Sequence, residues 1–291
     1  MRETASGAAM QVIDYEKEYD NRGRIPEHPE IFARWEREAA AYRAGARNAE
    51  LGLSYGPSPR QIVDLFHADK DDGKAPLAMF IHGGWWRSLE PAMFGQKAAG
   101  PNARGVTVAI VGYDLCPQVS IAAIIEQMRN ACVWLWRKRR QRIFIYGHSA
   151  GGHLAACMLA QDWKAFASDA PADLVPAAYA ISGVFDLAPL IHVSQNQDLR
   201  LDEAEARRVS PLHWKVPAGR TLDAVVGALE SNEFLRQSRM IAEIWRSQGV
   251  KTRYEEIAGA NHFTVVDPLS HADSAMTKRV VELARQVQAA G

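Results

Sequence analysis

The pentapeptide Gly147-His148-Ser149-Ala150-Gly151 constrains this chain more than any other stretch. It follows Arg142-Ile143-Phe144-Ile145-Tyr146, an apolar run of buried-strand type, and it opens Ala150-Gly151-Gly152-His153-Leu154-Ala155-Ala156, which reads as helix. A serine on so sharp a strand-to-helix turn needs small residues two before and two after it. Larger side chains there would collide with the neighbouring strand and helix. The turn pushes Oγ out above the sheet, which makes Ser149 a candidate nucleophile. A second glycine-rich stretch, His82-Gly83-Gly84-Trp85-Trp86, stands upstream, directly after the strand-like Leu77-Ala78-Met79-Phe80-Ile81. Its glycines allow bare backbone N–H groups to approach a developing oxyanion closely.

From residue 60 onward, strand-like and helix-like segments alternate, the pattern of a mostly parallel central sheet with helices on both faces. Strands are predicted at 61–68, 77–81, 106–111, 177–181, 222–226 and 252–257. Ile121, Ile124, Ile125, Met128, Cys132 and Leu135 recur at helical spacing and mark a crossover helix with one apolar face. A last helix is predicted over 274–287. Two regions fall outside the alternation. Residues 1–50 carry Ile31, Trp35, Ala39 and Tyr42 on one helical face and read as an N-terminal arm packed on the core, residues 51–291 being the main domain. The polar stretch 187–220 reads as an insertion, expected to form a small cap over a partly open pocket.

Composition narrows the class. The chain has 291 residues, 47% of them hydrophobic, which is enough for one sizeable core. With 34 basic and 34 acidic residues, nothing favours nucleic acid or an anionic membrane as partner. The one basic run, Arg137-Lys138-Arg139-Arg140, suits a helix C-terminus, where cations complement the exposed carbonyls. Three cysteines, Cys116, Cys132 and Cys157, are odd in number and apolar in setting, as expected of buried reduced thiols in a cytoplasmic protein. Arg2, Glu3, Asp14, Glu16 and Lys17 interrupt the N-terminus, so no signal peptide is expected. No apolar run approaches the roughly 18 residues of a membrane span.

A serine hydroxyl needs a base to take its proton, and the base needs a third group to orient it. Nine histidines compete for the role. His148 adjoins the serine, with its ring expected to point away from Oγ; His153 sits on the following helix, and His82 is expected to brace the glycine loop. His28, His67, His192, His213 and His271 have no motif around them. His262, in Gly259-Ala260-Asn261-His262-Phe263, lies in the loop after the final predicted strand, where the order serine, acid, histidine requires the base. Glu230 ends Ala224-Val225-Val226-Gly227-Ala228-Leu229-Glu230-Ser231 at the C-terminal edge of the penultimate strand and is the candidate acid. Asp186, after the preceding strand, is its competitor, with a helix cap as its other role. Asp223, at the far end of Glu230's strand, reads as a turn residue.

The stretches His82–Trp86, Tyr113-Asp114-Leu115-Cys116-Pro117, 147–154 and 226–234 resemble the kynurenine formamidase (arylformamidase) branch of the α/β-hydrolases, close to the hormone-sensitive-lipase-like esterases. The likeness covers roughly residues 60–290. It implies an α/β-hydrolase fold, a triad of Ser149, Glu230 and His262, and oxyanion N–H groups from Gly83, Gly84 and Ala150. Trp85 and Trp86 become the candidate substrate-lining residues. Two positions depart from the formamidase pattern: Trp85 stands where it has tyrosine, and Glu230 where it has aspartate. The expected activity is hydrolysis of a small ester or aryl-formamide through an acyl-enzyme, with no cofactor and no metal. A general carboxylesterase for short acyl esters is the alternative within that chemistry. A non-catalytic ligand-binding protein on the same fold is the alternative of another class. The expected partner is the small-molecule substrate, not nucleic acid or membrane, and a homodimer is left open.

Overall fold

Runs of residues buried on both faces build the centre of the molecule. A computed structural model describes residues 13–289, so Arg2 and Glu3 and the start of the N-terminal arm lie outside the described residues. Eight strands form one sheet: β1 (Ala49–Ser54), β2 (Ile62–Phe66), β3 (Leu77–Ile81), β4 (Thr107–Val111), β5 (Ile143–His148), β6 (Ala177–Ile181), β7 (Thr221–Gly227) and β8 (Lys251–Ile257). Their order is β1-β2-β4-β3-β5-β6-β7-β8, with β1 and β2 antiparallel to their neighbours and every other pairing parallel. All residues of β3, β4, β5 and β6 are buried, as central parallel strands covered on both faces require.

Alternation along these strands divides the core in two. Met79, Ile81, Ile143 and Ile145 point to one apolar cluster, whereas Ala78, Phe80, Phe144 and Tyr146 point to the other. The N-terminal arm supplies α1 (Tyr15–Tyr19), α2 (Asn21–Arg24) and α3 (His28–Gly45), and the 3-10 segment Pro91–Ala98 leads into α4 (Ala99–Ala103). The crossover helix is α5 (Ile121–Arg139), capped at its start by the Ser120 hydroxyl accepting from Ala123 N–H. Its six anticipated apolar positions are all buried. Each such aliphatic side chain contributes about 1.5–3 kcal/mol relative to exposure. The basic run ends this helix, with Arg140 left-handed at φ 55°.

Next come α6 (Ala150–Leu159), α7 (Trp163–Phe166), α8 (Asn196–Leu199), α9 (Glu203–Arg208), α10 (Asn232–Ser247) and α11 (Ala275–Ala289). Strand β1 was not anticipated from the sequence. It is a half-exposed edge with a register shift around Gly52, so it lacks the apolar alternation that reveals inner strands. Asp223 is not a turn residue: it pairs with Arg253 in the β7–β8 register, and Arg279 of α11 donates two hydrogen bonds to its carboxylate.

The insertion between Leu187 and Arg220 packs against α6, the segment after β6 and the loop carrying Arg87. Val209 O accepts from His153 Nε2 at 2.8 Å, and Leu212 N–H donates to Phe185 O at 3.1 Å. Further out, His192 stacks on Tyr15, and the Glu16 carboxylate takes both the N–H and hydroxyl of Ser194. The insertion therefore props α1 in place.

Candidate active site

The link between β5 and α6 has no room for side chains beside the serine. A Cβ on Gly151 would stand 1.9 Å from Ile81 O, and one on Gly147 would stand 2.2 Å from Gly151 O. Ser149 itself is forced to φ 56°, ψ −118°, a costly region for a residue with a side chain. Its N–H donates to Ile181 O at 2.8 Å, which ties the turn to β6. The strain is borne at the point where the hydroxyl has to project.

Three side chains meet there in one line of hydrogen bonds. Ser149 Oγ lies 3.0 Å from His262 Nε2, and His262 Nδ1 lies 2.6 Å from Glu230 Oε2. The other carboxylate oxygen, Oε1, accepts from the Ser182 hydroxyl at 2.5 Å and from Gly227 N–H at 2.7 Å. Those two donors fix the carboxylate, which in turn fixes His262 as the Nδ1–H tautomer and leaves Nε2 free to accept the serine proton. All three residues are buried. Asp186 is elsewhere: its Oδ1 accepts from Ala188 N–H and sits 3.8 Å from His213, a local cap without contact to His262.

The glycine loop lies against this line. A Cβ on Gly83 would stand 2.9 Å from His148 O and 3.0 Å from Ser149 Cβ, so the loop backbone touches the serine turn. Gly84 has φ 108°, and Trp85 and Trp86 follow at 56° and 54°, a left-handed run that reverses the chain. Among the described residues, the N–H groups of Gly83, Gly84 and Ala150 donate no hydrogen bond. His82 Nδ1–H donates to Gly83 O at 2.7 Å, and its ring is sandwiched between Tyr113 and Phe94. Tyr113 OH donates to His82 O at 2.9 Å. Burial pushes the His82 pKa down to about 4, so the ring is a neutral brace at pH 7. His148 turns its Nε2–H to His262 O at 2.7 Å, and burial with the neighbouring His262 holds its pKa well below the usual range.

A narrow cleft opens over Ser149, walled by Gly83, Gly84, Trp85, His148, His262 and Phe263 on the core side. Asn21, Arg22, Phe32 and Trp35 of the arm close it, and no residue of the 187–220 insertion contributes to its wall. Sequence reading missed this role of the arm because its residues reach the site only by tertiary docking, with no motif of their own. Trp35 was visible as part of an apolar face, which was its one signal. Among the bonds that hold the arm, two involve aromatic side chains next to the cleft. Tyr19 OH donates to Glu233 Oε2 at 2.9 Å and accepts from Gln237 at 3.0 Å, while Trp35 Nε1 donates to Asp267 at 3.0 Å.

The two tryptophans part company. Trp85 is half-buried on the cleft wall, 6.0 Å edge-on from Tyr19. Trp86, expected beside it, is absent from that wall: it is fully buried and meets His153 edge-on at 5.0 Å. Successive left-handed residues send their side chains in different directions, so only one can face the cleft. Phe234 also lies 4.5 Å from the His262 ring. Among the described residues, no three His, Cys, Asp or Glu side chains cluster as metal ligands would.

A family model described as alpha/beta hydrolase fold matches residues 78–266, and the chain belongs to that family. It is a hydrolase. The particular relatives are narrower in kind. The chain is 30% identical over 238 residues to kynurenine formamidase of Drosophila melanogaster, with 78% of each chain covered. It is 27% identical over 243 residues to kynurenine formamidase of Danio rerio, covering 80% of this chain and 81% of that one. A crystal structure of a candidate thioesterase from a Silicibacter species matches with a TM-score of 0.82 at 28% identity, covering 92% of this chain and 99% of that one. Among the described residues, no helix is long and apolar enough to cross a membrane.

Proposed function

We propose that the protein cleaves a small ester or aryl-formamide by serine catalysis through an acyl-enzyme. The observation that carries this reading is the unbroken line Ser149–His262–Glu230 beside three N–H groups without partners. His262 Nε2 takes the hydroxyl proton as Ser149 Oγ bonds to the acyl carbon. The tetrahedral oxyanion accepts from Gly83, Gly84 and Ala150, an arrangement in which one donor is typically worth about 2.7–4 kcal/mol of barrier. Collapse breaks the bond to the leaving oxygen or nitrogen, which His262 protonates, and a water activated by the same imidazole then releases the acid.

The formamidase relatives support the aryl-formamide substrate, and the half-buried Trp85 offers an indole against which an aromatic leaving group can stack. The three buried free cysteines support a reducing, cytoplasmic setting. The test compares N-formylkynurenine with p-nitrophenyl acetate on wild type and Ser149→Ala. Removing the serine should cost about 10⁴–10⁶ in kcat, and a fluorophosphonate should label Ser149 alone. Labelling of another serine, or near-normal turnover by Ser149→Ala, refutes the reading.

A further inference from the structure

The wall of the cleft carries one formally charged side chain that no carboxylate neutralises. Arg22 of α2 is exposed, lines the cleft, and holds its guanidinium 5.7 Å from the centroid of the Phe32 ring, which lines the cleft as well. Among the described residues, it has no ion-pair partner. The acids of its own segment are already engaged: Asp20 caps α2 through Gly23 N–H, and Glu18 accepts from Glu233 N–H. No aspartate or glutamate lines the cleft, since Glu230 sits behind His262. The histidine beside the serine, His148, is held neutral by burial.

The residue before it adds an independent observation. Asn21 is 5% exposed, lines the same cleft, and its buried Nδ2 has no hydrogen-bond partner. A buried amide donor without an acceptor costs about 1–3 kcal/mol. A ligand that supplied the acceptor would remove that cost. Neighbouring residues of one short helix thus line the cleft with a buried, unpartnered amide and an unpaired cation, Asn21 also bordering the adjoining cavity beside Glu230.

We propose that Asn21 and Arg22 form a subsite for a carboxylate carried by the substrate, so that the enzyme selects anionic esters or formamides over neutral ones. This rests on Ser149 being the nucleophile, and it adds the residues that read the rest of the substrate. The guanidinium supplies a charge-assisted contact, and Phe32 holds its plane so that little side-chain freedom is lost on binding.

The experiment compares phenyl acetate with 4-acetoxybenzoate on wild type, Arg22→Ala, Arg22→Glu, Arg22→Lys and Asn21→Ala. The ratio of kcat/KM for the two substrates cancels their intrinsic reactivity between variants. Arg22→Ala should lower the anionic-to-neutral ratio about tenfold, equivalent to about 1.4 kcal/mol, chiefly through KM. Arg22→Glu should lower it further, Arg22→Lys should retain part of it, and Asn21→Ala should lower it as well. Raising salt should shrink the wild-type ratio and leave that of Arg22→Ala little changed. Benzoate binding by calorimetry reads the subsite without turnover and should weaken in Arg22→Ala. Ratios within threefold of wild type in both Arg22→Ala and Arg22→Glu overturn the proposal. If wild type hydrolyses neither acetate and resists the fluorophosphonate, the serine reading fails, and benzoate binding alone decides the subsite.

Discussion

Replacing Glu230 by glutamine tests the site most sharply, because the structure dictates how the amide must sit. Oε1 faces two donors, the Ser182 hydroxyl and Gly227 N–H, so the glutamine carbonyl has to take that position. Its NH₂ is then left facing His262 Nδ1, where Oε2 stood at 2.6 Å. A donor there selects the opposite tautomer, with the proton on Nε2, and Ser149 loses its base. The variant also loses the negative charge that steadies the imidazolium formed during attack. A charge pair at about 4 Å in an effective dielectric near 20 is worth about 4 kcal/mol, which alone is close to a thousandfold in rate. Adding the wrong tautomer brings the expected loss to about 10³–10⁴ in kcat, with KM little changed. Stopped-flow and steady-state hydrolysis of p-nitrophenyl acetate between pH 7 and 9 measure it, with Asp186→Asn as the control. A folded Glu230→Gln within tenfold of wild type refutes the tautomer argument. A large loss in Asp186→Asn instead moves the acid to that residue.

Three other outcomes are expected. In a p-nitrophenyl ester series, kcat/KM should fall steeply from acetyl to hexanoyl, and Trp85→Ala should flatten the slope, as each excluded methylene is worth about 1–3 kcal/mol; an unchanged profile removes Trp85 from the acyl pocket. Tyr19→Phe deletes the hydroxyl between Glu233 and Gln237 and should cost about 1–2 kcal/mol in urea unfolding while raising KM; unchanged stability would mean that this latch bears no load. Lys97 is fully buried, and burial lowers its ammonium from 10.5 to about 8 despite Asp267 at 3.4 Å. The folded protein therefore binds this proton more weakly than the unfolded chain, so the site's contribution to stability rises with pH between those two values. Wild type should gain about 2 kcal/mol over Lys97→Met between pH 7 and 9.5, and equal pH slopes would contradict it.

The sheet was legible from β2 to β7 because burial forced near-continuous apolar runs there, and the edge strand β8 was placed as well although its residues are only partly buried. The edge strand β1 was not, because Gly52 and half-exposed positions erase its period. Ser149 and the glycine loop were legible for a steric reason: only glycines fit where Gly151 meets Ile81 O and Gly83 meets the serine turn. His262 and Glu230 followed from chain order along the strands. Which tryptophan faces the cleft depends on backbone angles at φ 56° and 54° that no composition rule supplies. The arm residues Asn21, Arg22 and Phe32 were illegible as site residues because docking, held by the Tyr19 and Trp35 latches, brings them there.

Those latches have a consequence for how the protein is made. The arm's share of the cleft wall leaves the ribosome some two hundred residues before its anchors, Glu233 and Asp267. Until they emerge, a nascent chain lacks the two carboxylates that hold Tyr19 and Trp35, although α3 can already meet Phe94 and Asp64. His262 lies between those two anchors in sequence, so the base and the latch carboxylates become available together. Synthesis thus keeps the serine without its base until residue 262 has emerged, and a product cut before that point carries a nucleophile with no group to take its proton.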